Sequence, residues 1–328
     1  MEDKLNVAAL ADEIIEGRRL TAQDDLMALV TCDLNELKEG ADRIRAALCG
    51  DKVDLCTIIS GKSGRCSENC RFCAQSAHHN TGCDVHGLLS AGEIEREAAA
   101  CQEEGVDRFS VVNSGRGPSP EEFESLIGVF EKMKKDLRIE LCCSLGFMSA
   151  EQLRRLKEAG ITSIHCNIES SRRYFPKICT THTFDDKIRN IRLAQEAGLN
   201  VCSGGIIGMG ETWEDRIDMA LTLKELGIRS IPVNSLMPIP GTPLENLPRL
   251  SEDDIVRTIS IFRFINPEAE IRLAGGRSLM KDNGRQTFLA GANASITGNM
   301  LTTSGSTIAQ DKEMLRGLGR DVTPVWEN

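Results

Sequence analysis

Three cysteines stand close together in Cys66-Ser-Glu-Asn-Cys70-Arg-Phe-Cys73-Ala-Gln75-Ser76, with the spacing C-x3-C-x2-C. Thiolates are the usual ligands of iron-sulfur clusters, and an electron carrier normally offers four of them to a cubane cluster. Three on one short loop hold three irons and leave the fourth open to bind and activate another molecule. Zinc is the competing occupant, but C-x3-C is poor zinc spacing. No fourth Cys or His stands at an ordinary distance either, since His78 and His79 follow almost at once. The loop therefore predicts a cluster that does chemistry.

Such a loop needs a scaffold that aims it at a substrate. The chain has 328 residues, 41% of them hydrophobic, which is enough for one large core. Residues 7–49 read as helices, with Leu34, Leu37, Ile44 and Leu48 periodic in a charged background. Short apolar, β-branched runs follow near 53–59, 108–112, 139–145, 162–168, 199–206, 230–235, 270–274 and 292–297, separated by amphipathic helical segments. Ser90 with Glu93, Ser149 before Glu151-Gln152, and Ser251 before Asp253-Asp254 mark helix starts, and Glu-Ala-Gly at 158–160 and 196–198 marks helix ends.

Eight such units predict an α/β fold, a (β/α)8 TIM-type barrel over 51–320, after an N-terminal helical extension (1–50) and before a short C-terminal tail (321–328). The cluster loop follows the first strand, at the C-terminal strand ends where barrel sites lie. A doubly wound sheet fits the alternation as well. However, Gly204-Gly-Ile-Ile-Gly-Met-Gly210 lacks the G-x-G-x-x-G order of a dinucleotide loop and has no clear acidic partner for a ribose.

The C-x3-C-x-aromatic-C pattern resembles the loop of radical S-adenosylmethionine enzymes. Gly61-Lys-Ser-Gly-Arg-Cys66 and Cys73-Ala-Gln-Ser, together with Val-Cys202-Ser-Gly-Gly, Gly241-Thr-Pro-Leu, Gly291-Ala-Asn and Leu301-Thr-Thr, resemble biotin synthases more narrowly. The resemblance spans about residues 50–320 and implies a sulfurtransferase that inserts sulfur into dethiobiotin at two C–H carbons. It implies a 4Fe-4S cluster on Cys66, Cys70 and Cys73 that binds S-adenosylmethionine, with Gln75 and Ser76 steadying the loop. Phe72 and Ile206 would contact the cofactor, Asn167 would bridge cofactor and substrate, and Glu169 would bind the ribose hydroxyls in place of the usual Asp. Lys187 falls where the family has an Arg that pairs with the cofactor's carboxylate. Asn167 and Glu169 stand at i and i+2, so on a strand both point to one face. Asn234 with Asn167 would bind the ureido ring of dethiobiotin, and Thr302 and Thr303 its carboxylate.

The resemblance further implies an auxiliary iron-sulfur cluster as sulfur source, normally of the 2Fe-2S type and held by three strand cysteines and an arginine. Cys142, Cys202 and Arg272 match three of those positions, whereas the fourth is Ser110. A neutral serine is a poor iron ligand, so a changed cluster, including a four-iron type, is the expectation. Cys166 and Cys143 are candidate replacements, although strict alternation turns both away from the lumen. His165 has the right phase. Arg272 as a salt-bridge residue is the alternative. Cys32, Cys49, Cys56, Cys83, Cys101 and Cys179 have no motif around them and read as buried or surface thiols.

A net charge of -10 without a Lys/Arg run argues against nucleic-acid or anionic-membrane partners. No signal-like or membrane-spanning apolar run occurs, so a reducing cytoplasm is the expected site, and 13 cysteines point to metal binding and free thiols. The resemblance also implies a homodimer and an electron donor such as flavodoxin or ferredoxin. Methylornithine synthase and hydrogenase maturases are the alternatives within the same barrel group. They need no sulfur-donating cluster, which Cys142, Cys202 and Arg272 argue for. A non-enzymatic iron-sulfur or zinc protein is the remaining class.

Overall fold

All eight apolar runs become parallel strands in the computed structural model, which describes residues 5–298 and 306–327. They are β1 (Asp54–Lys62), β2 (Arg108–Asn113), β3 (Glu140–Ser144), β4 (Ile161–His165), β5 (Asn200–Cys202), β6 (Gly205–Ile207), β7 (Ser230–Ser235), β8 (Glu270–Leu273) and β9 (Ala294–Ile296). The sheet order is β5-β4-β3-β2-β1-β9-β8-β7-β6, and a pairing of β5 with β7 closes it into a barrel of eight staves. Parallel strands covered on both faces read as continuous apolar runs, which is why sequence alone finds them.

The fifth stave is the exception, because the run at 199–206 divides into β5 and β6. A Cβ at Gly204 would lie 1.9 Å from the Pro232 carbonyl oxygen, so only glycine lets this backbone press so closely onto β7. Both halves close onto β7, with β6 pairing at Gly205–Val233, Ile206–Asn234 and Ile207–Ser235. Cys202 with Ser230 is the single register pair between β5 and β7.

The helices are α1 (Val7–Ile15), α2 (Ala28–Thr31), α3 (Leu34–Cys49), α4 (Ala91–Glu103), α5 (Pro120–Asp136), α6 (Ala150–Glu158), α7 (Phe184–Glu196), α8 (Trp213–Glu225), α9 (Glu252–Ile265), α10 (Arg285–Phe288) and α11 (Ile308–Arg316). Their starts follow the capping residues: the Ser149 side chain accepts from Gln152 N–H, and Glu93 accepts from Ser90 N–H at 2.8 Å. Such a cap is worth about 1 kcal/mol. Gly160 and Gly198 end α6 and α7 at positive φ, just before β4 and β5.

Phe109 on β2, Phe130 on α5 and Phe262 and Phe264 on α9 are fully buried between staves and helices. Each such ring contributes roughly 2–3 kcal/mol. The N-terminal helices α2 and α3 lie against α9, and α1 packs on α3. At the other end, Asp321 pairs with Asp51 and Val53, and the Trp326 indole donates to the Val106 carbonyl at 2.8 Å, which fastens the tail beneath the barrel. Among the described residues, no helix is long and apolar enough to cross a membrane.

Candidate active site

The cysteine loop leaves the C-terminal end of β1 and is closed on itself by the residues that follow it. Cys66 N–H donates to the Gln75 carbonyl at 2.9 Å, and Ala77 N–H donates to the Cys66 carbonyl at 2.8 Å. The Gln75 amide oxygen accepts from Gly64 N–H at 3.2 Å, and the Ser76 hydroxyl donates to the Glu68 carbonyl at 2.7 Å. Gln75 and Ser76 thus tie the loop. All three thiols are free and partly exposed. Burial pushes the Cys73 thiol up to about 11.

Below the loop a cavity of 580 Å³ runs down the barrel. Phe72 of the loop lines it at one end, together with Asn167, Glu169, Ile206 and Asn234. β4 ends at His165, so Asn167 and Glu169 reach the cavity from the irregular segment after it, where Glu169 forms an isolated parallel bridge with Gly205. Glu169 takes a left-handed φ of 68° and is held there by backbone pairing with Gly204 and Ile206. Its Oε2 is buried with no hydrogen-bond partner, and burial raises the carboxyl pKa. An orphaned acceptor of this kind fits a ligand that brings hydroxyl donors.

The Asn167 Oδ1 accepts from Gly204 N–H at 3.0 Å. Asn234 is oriented at both ends, its Nδ2 donating to the Gly205 carbonyl at 3.2 Å and its Oδ1 accepting from Gly275 N–H at 3.0 Å. Each amide oxygen still has a second lone pair, and each Nδ2 has hydrogens to spare. Glu211 pins the glycine turn by accepting from Gly208 and Met209 N–H at 2.7 Å each. Lys187 lies off the cavity wall, with its ammonium 5.3 Å from the Phe147 ring centroid. Burial works against its charge, but Cys166, Glu169 and Cys70 nearby raise its pKa. Thr302 and Thr303 lie outside the described residues.

Parallel register assembles the deep half of the cavity. Ser110 pairs with Cys142, Cys142 with Ser163, His165 with Cys202, and Pro232 with Arg272. Ser110, Cys142, Cys202, His165 and Arg272 all line the cavity. Cys166 does not: its buried sulfur accepts from the Asn190 amide at 3.6 Å in the core outside the lumen, and Cys143 is likewise buried in that core. The β3–β4 register does shift between Leu141 and Cys142, but this leaves Cys143 and Cys166 off the cavity wall.

Burial pushes the Cys142 thiol up to about 12 and holds His165 down to about 4, so the imidazole is neutral. Arg272 is ion-paired. Its Nη2 donates to Asp54 Oδ1 at 2.6 Å and to Glu270 Oε2 at 2.9 Å. Arg108 donates from Nε to Asp54 Oδ2 at 2.8 Å and also binds Glu140. Burial works against the Asp54 carboxylate, but Arg272 and Arg108 outweigh it and hold its pKa below the usual range.

Two cysteines without a motif also belong to this site. Cys56 lines the cavity beside Arg108 and Ile296. The signal for it was phase, since Cys56 and Ile58 share a face of β1, and Ile58 pairs with Ser110. Cys179 stands with its sulfur 3.7 Å from that of Cys70, and His182 Nδ1 lies 3.3 Å from Cys179. Ligand atoms of Cys70, Cys179 and His182 fall within 4.8 Å of one another, so a group with the geometry to hold a metal ion forms in space where local spacing offers none. Their separation along the chain hid them.

Residues 62–223 match the family model described as "Radical SAM superfamily", and residues 232–321 match that of the "Biotin and Thiamin Synthesis associated domain". The chain is 57% identical to a biotin synthase of Clostridium beijerinckii, over 94% of this chain and 98% of that one. It is 54% identical to a biotin synthase of Alkaliphilus metalliredigens, over 96% and 99%. Among solved structures it resembles methylornithine synthase, with a TM-score of 0.83 at 21% identity over 96% of this chain and 97% of that one. It also resembles the FeFe-hydrogenase maturase of Carboxydothermus hydrogenoformans, with a TM-score of 0.79 at 18% identity over 96% and 78%. At such identities the two structures bear on the barrel alone.

Proposed function

The chain belongs to the biotin synthases, sulfurtransferases of the radical S-adenosylmethionine superfamily, and from that premise we propose how its own residues divide the work. Cys66, Cys70 and Cys73 hold the 4Fe-4S cluster, and the deep thiols Cys142 and Cys202 hold the auxiliary iron-sulfur cluster beside Arg272. When bound, the first cluster supplies the electron that cleaves S-adenosylmethionine to methionine and a 5'-deoxyadenosyl radical, and the second supplies sulfur.

The residues between them bind and orient. Phe72 and Ile206 border the adenosyl end, and Glu169 accepts the ribose hydroxyls with its unpartnered buried oxygen. Lys187 contributes positive charge toward the cofactor's carboxylate, without the paired donors of an arginine. Asn167 and Asn234, already fixed by backbone partners, turn their remaining donors and acceptors to the ureido ring of dethiobiotin. Thr302 and Thr303 receive its carboxylate. The apolar wall of Ile58, Val112 and Ile296 keeps water from a radical that would otherwise be quenched.

One observation carries the reading: a single cavity has the cluster loop's Phe72 on one wall and Cys142 and Cys202 on another, so one substrate can meet both. The family also implies a homodimer, a flavodoxin or ferredoxin as electron donor, and a cytoplasmic setting. Anaerobic incubation of the reconstituted chain with S-adenosylmethionine, dethiobiotin and a reductant should give biotin and 5'-deoxyadenosine together. Production of 5'-deoxyadenosine with no biotin from a chain loaded with both clusters would instead assign it to another reaction of the barrel group.

A further inference from the structure

We propose that Cys56 supplies the thiolate that Ser110 lacks, so that Cys56, Cys142 and Cys202 bind the auxiliary cluster while Arg272 stays beside it as an ion-paired cation. The inference rests on the reading that the deep half of the cavity holds an auxiliary iron-sulfur cluster.

The first support is position. Of the 13 cysteines, Cys56, Cys142 and Cys202 alone line the cavity among the described residues. They come from three staves, β1, β3 and β5, and face one lumen.

The second support is the exchange of residue types across one strand pair. Ile58 on β1 pairs with Ser110 on β2. Cys56 is the next inward-facing position of β1, so the thiol and the serine occupy adjacent staves about 7 Å apart along the strand direction. Moving a thiolate from one stave to its neighbour keeps three in the lumen. Each thiol loses its proton to solvent as its sulfur–iron bond forms, with no change in oxidation state.

The third support is what surrounds Arg272. A guanidinium has five N–H donors and no acceptor, so it has no electron pair to give iron. Here Nη2 donates to Asp54 and Glu270, Nη1 donates to the Asp54 and Ser295 carbonyls at 3.3 Å each, and Nε reaches the Ser230 hydroxyl at 3.4 Å. All three nitrogens are committed to oxygen acceptors. Asp54 is itself fixed by Arg108, so the arrangement holds Arg272 as a structural cation and leaves ligation to sulfur.

The test counts metal and does not rely on turnover. In the full chain carrying Cys66→Ser, Cys70→Ser and Cys73→Ser together, anaerobic reconstitution with ferrous iron and sulfide should still load the deep site, giving iron, sulfide and a cluster Mössbauer signal. No iron there would overturn both the auxiliary-cluster reading and this inference. Adding Cys56→Ser to that background should abolish the iron, and adding Ser110→Cys to Cys56→Ser should return it. Adding Arg272→Lys instead should leave iron and sulfide at the parent level. Three results would each overturn the assignment: iron that persists without Cys56, iron that fails to return on adding Ser110→Cys in a chain with parent-like urea unfolding, or iron lost with Arg272→Lys.

Discussion

Glu169→Gln should separate binding from stability in opposite directions. The Glu169 side chain is buried, its Oε2 has no partner, and its pKa is raised by that burial. In the chain alone, the ionised carboxylate is a liability. With S-adenosylmethionine bound, it becomes a charged acceptor for ribose hydroxyls, a bond worth about 1.5–3 kcal/mol. At about 1.4 kcal/mol per decade, the variant should bind the cofactor roughly 10- to 150-fold more weakly, as read by anaerobic titration calorimetry on the reconstituted protein.

The metal-free variant should be the more stable of the two, by about 1 kcal/mol in urea. The sign of its pH dependence follows from the raised pKa. The wild-type carboxyl is neutral in both states below its unfolded value near 4.3, and it costs stability as pH rises through the folded value. The stability advantage of Glu169→Gln should therefore grow from acidic to neutral pH. A cofactor affinity within threefold of wild type would refute the assignment of Glu169 to the ribose. A variant less stable at every pH would refute the claim that its oxygen is unpaired.

Asp54→Asn removes the carboxylate shared by Arg272 and Arg108, while Glu270 and Glu140 remain. Breaking a buried pair of this kind costs about 3 kcal/mol, read as a lower urea midpoint. Because the Asp54 pKa is depressed, that cost should be constant at neutral pH and shrink only below about pH 4, as the wild-type carboxylate protonates. Gly204→Ala puts a Cβ 1.9 Å from the Pro232 oxygen, a backbone clash that should cost about 3 kcal/mol or more and show as poor soluble yield. In metal-free protein, zinc should occupy Cys70, Cys179 and His182 and slow iron loading of the loop. Cys179→Ala should weaken that zinc binding at least about tenfold and relieve the delay, so equal loading rates with and without Cys179 would count against the site.

The strands were legible because a parallel barrel buries both faces of each stave, and the helices because their first turns carry Ser or Thr caps. The break in the fifth stave was not, since what demands Gly204 is the Pro232 carbonyl on β7, beyond the whole of α8. The cluster loop could be read from spacing alone. Asn167 and Glu169 reach the cavity, but from an irregular segment with a left-handed residue where alternation along a strand was expected. Cys56 escaped notice because period-2 phase matters only once it is known which strand stands beside Ser110. Cys179 lies 109 residues from Cys70, a separation that no local spacing rule spans.

The seam between the fifth stave and β7 bears on how the deep half of the cavity meets solvent. There β5 meets β7 at Cys202 and Ser230 while β6 continues the contact from Gly205 to Ile207, and the cavity is bordered by exposed Gln195, Asn200, Gly227 and Arg229 at the N-terminal end of the barrel. The deep half of the cavity therefore has exposed neighbours of its own, at the rim opposite the cysteine loop.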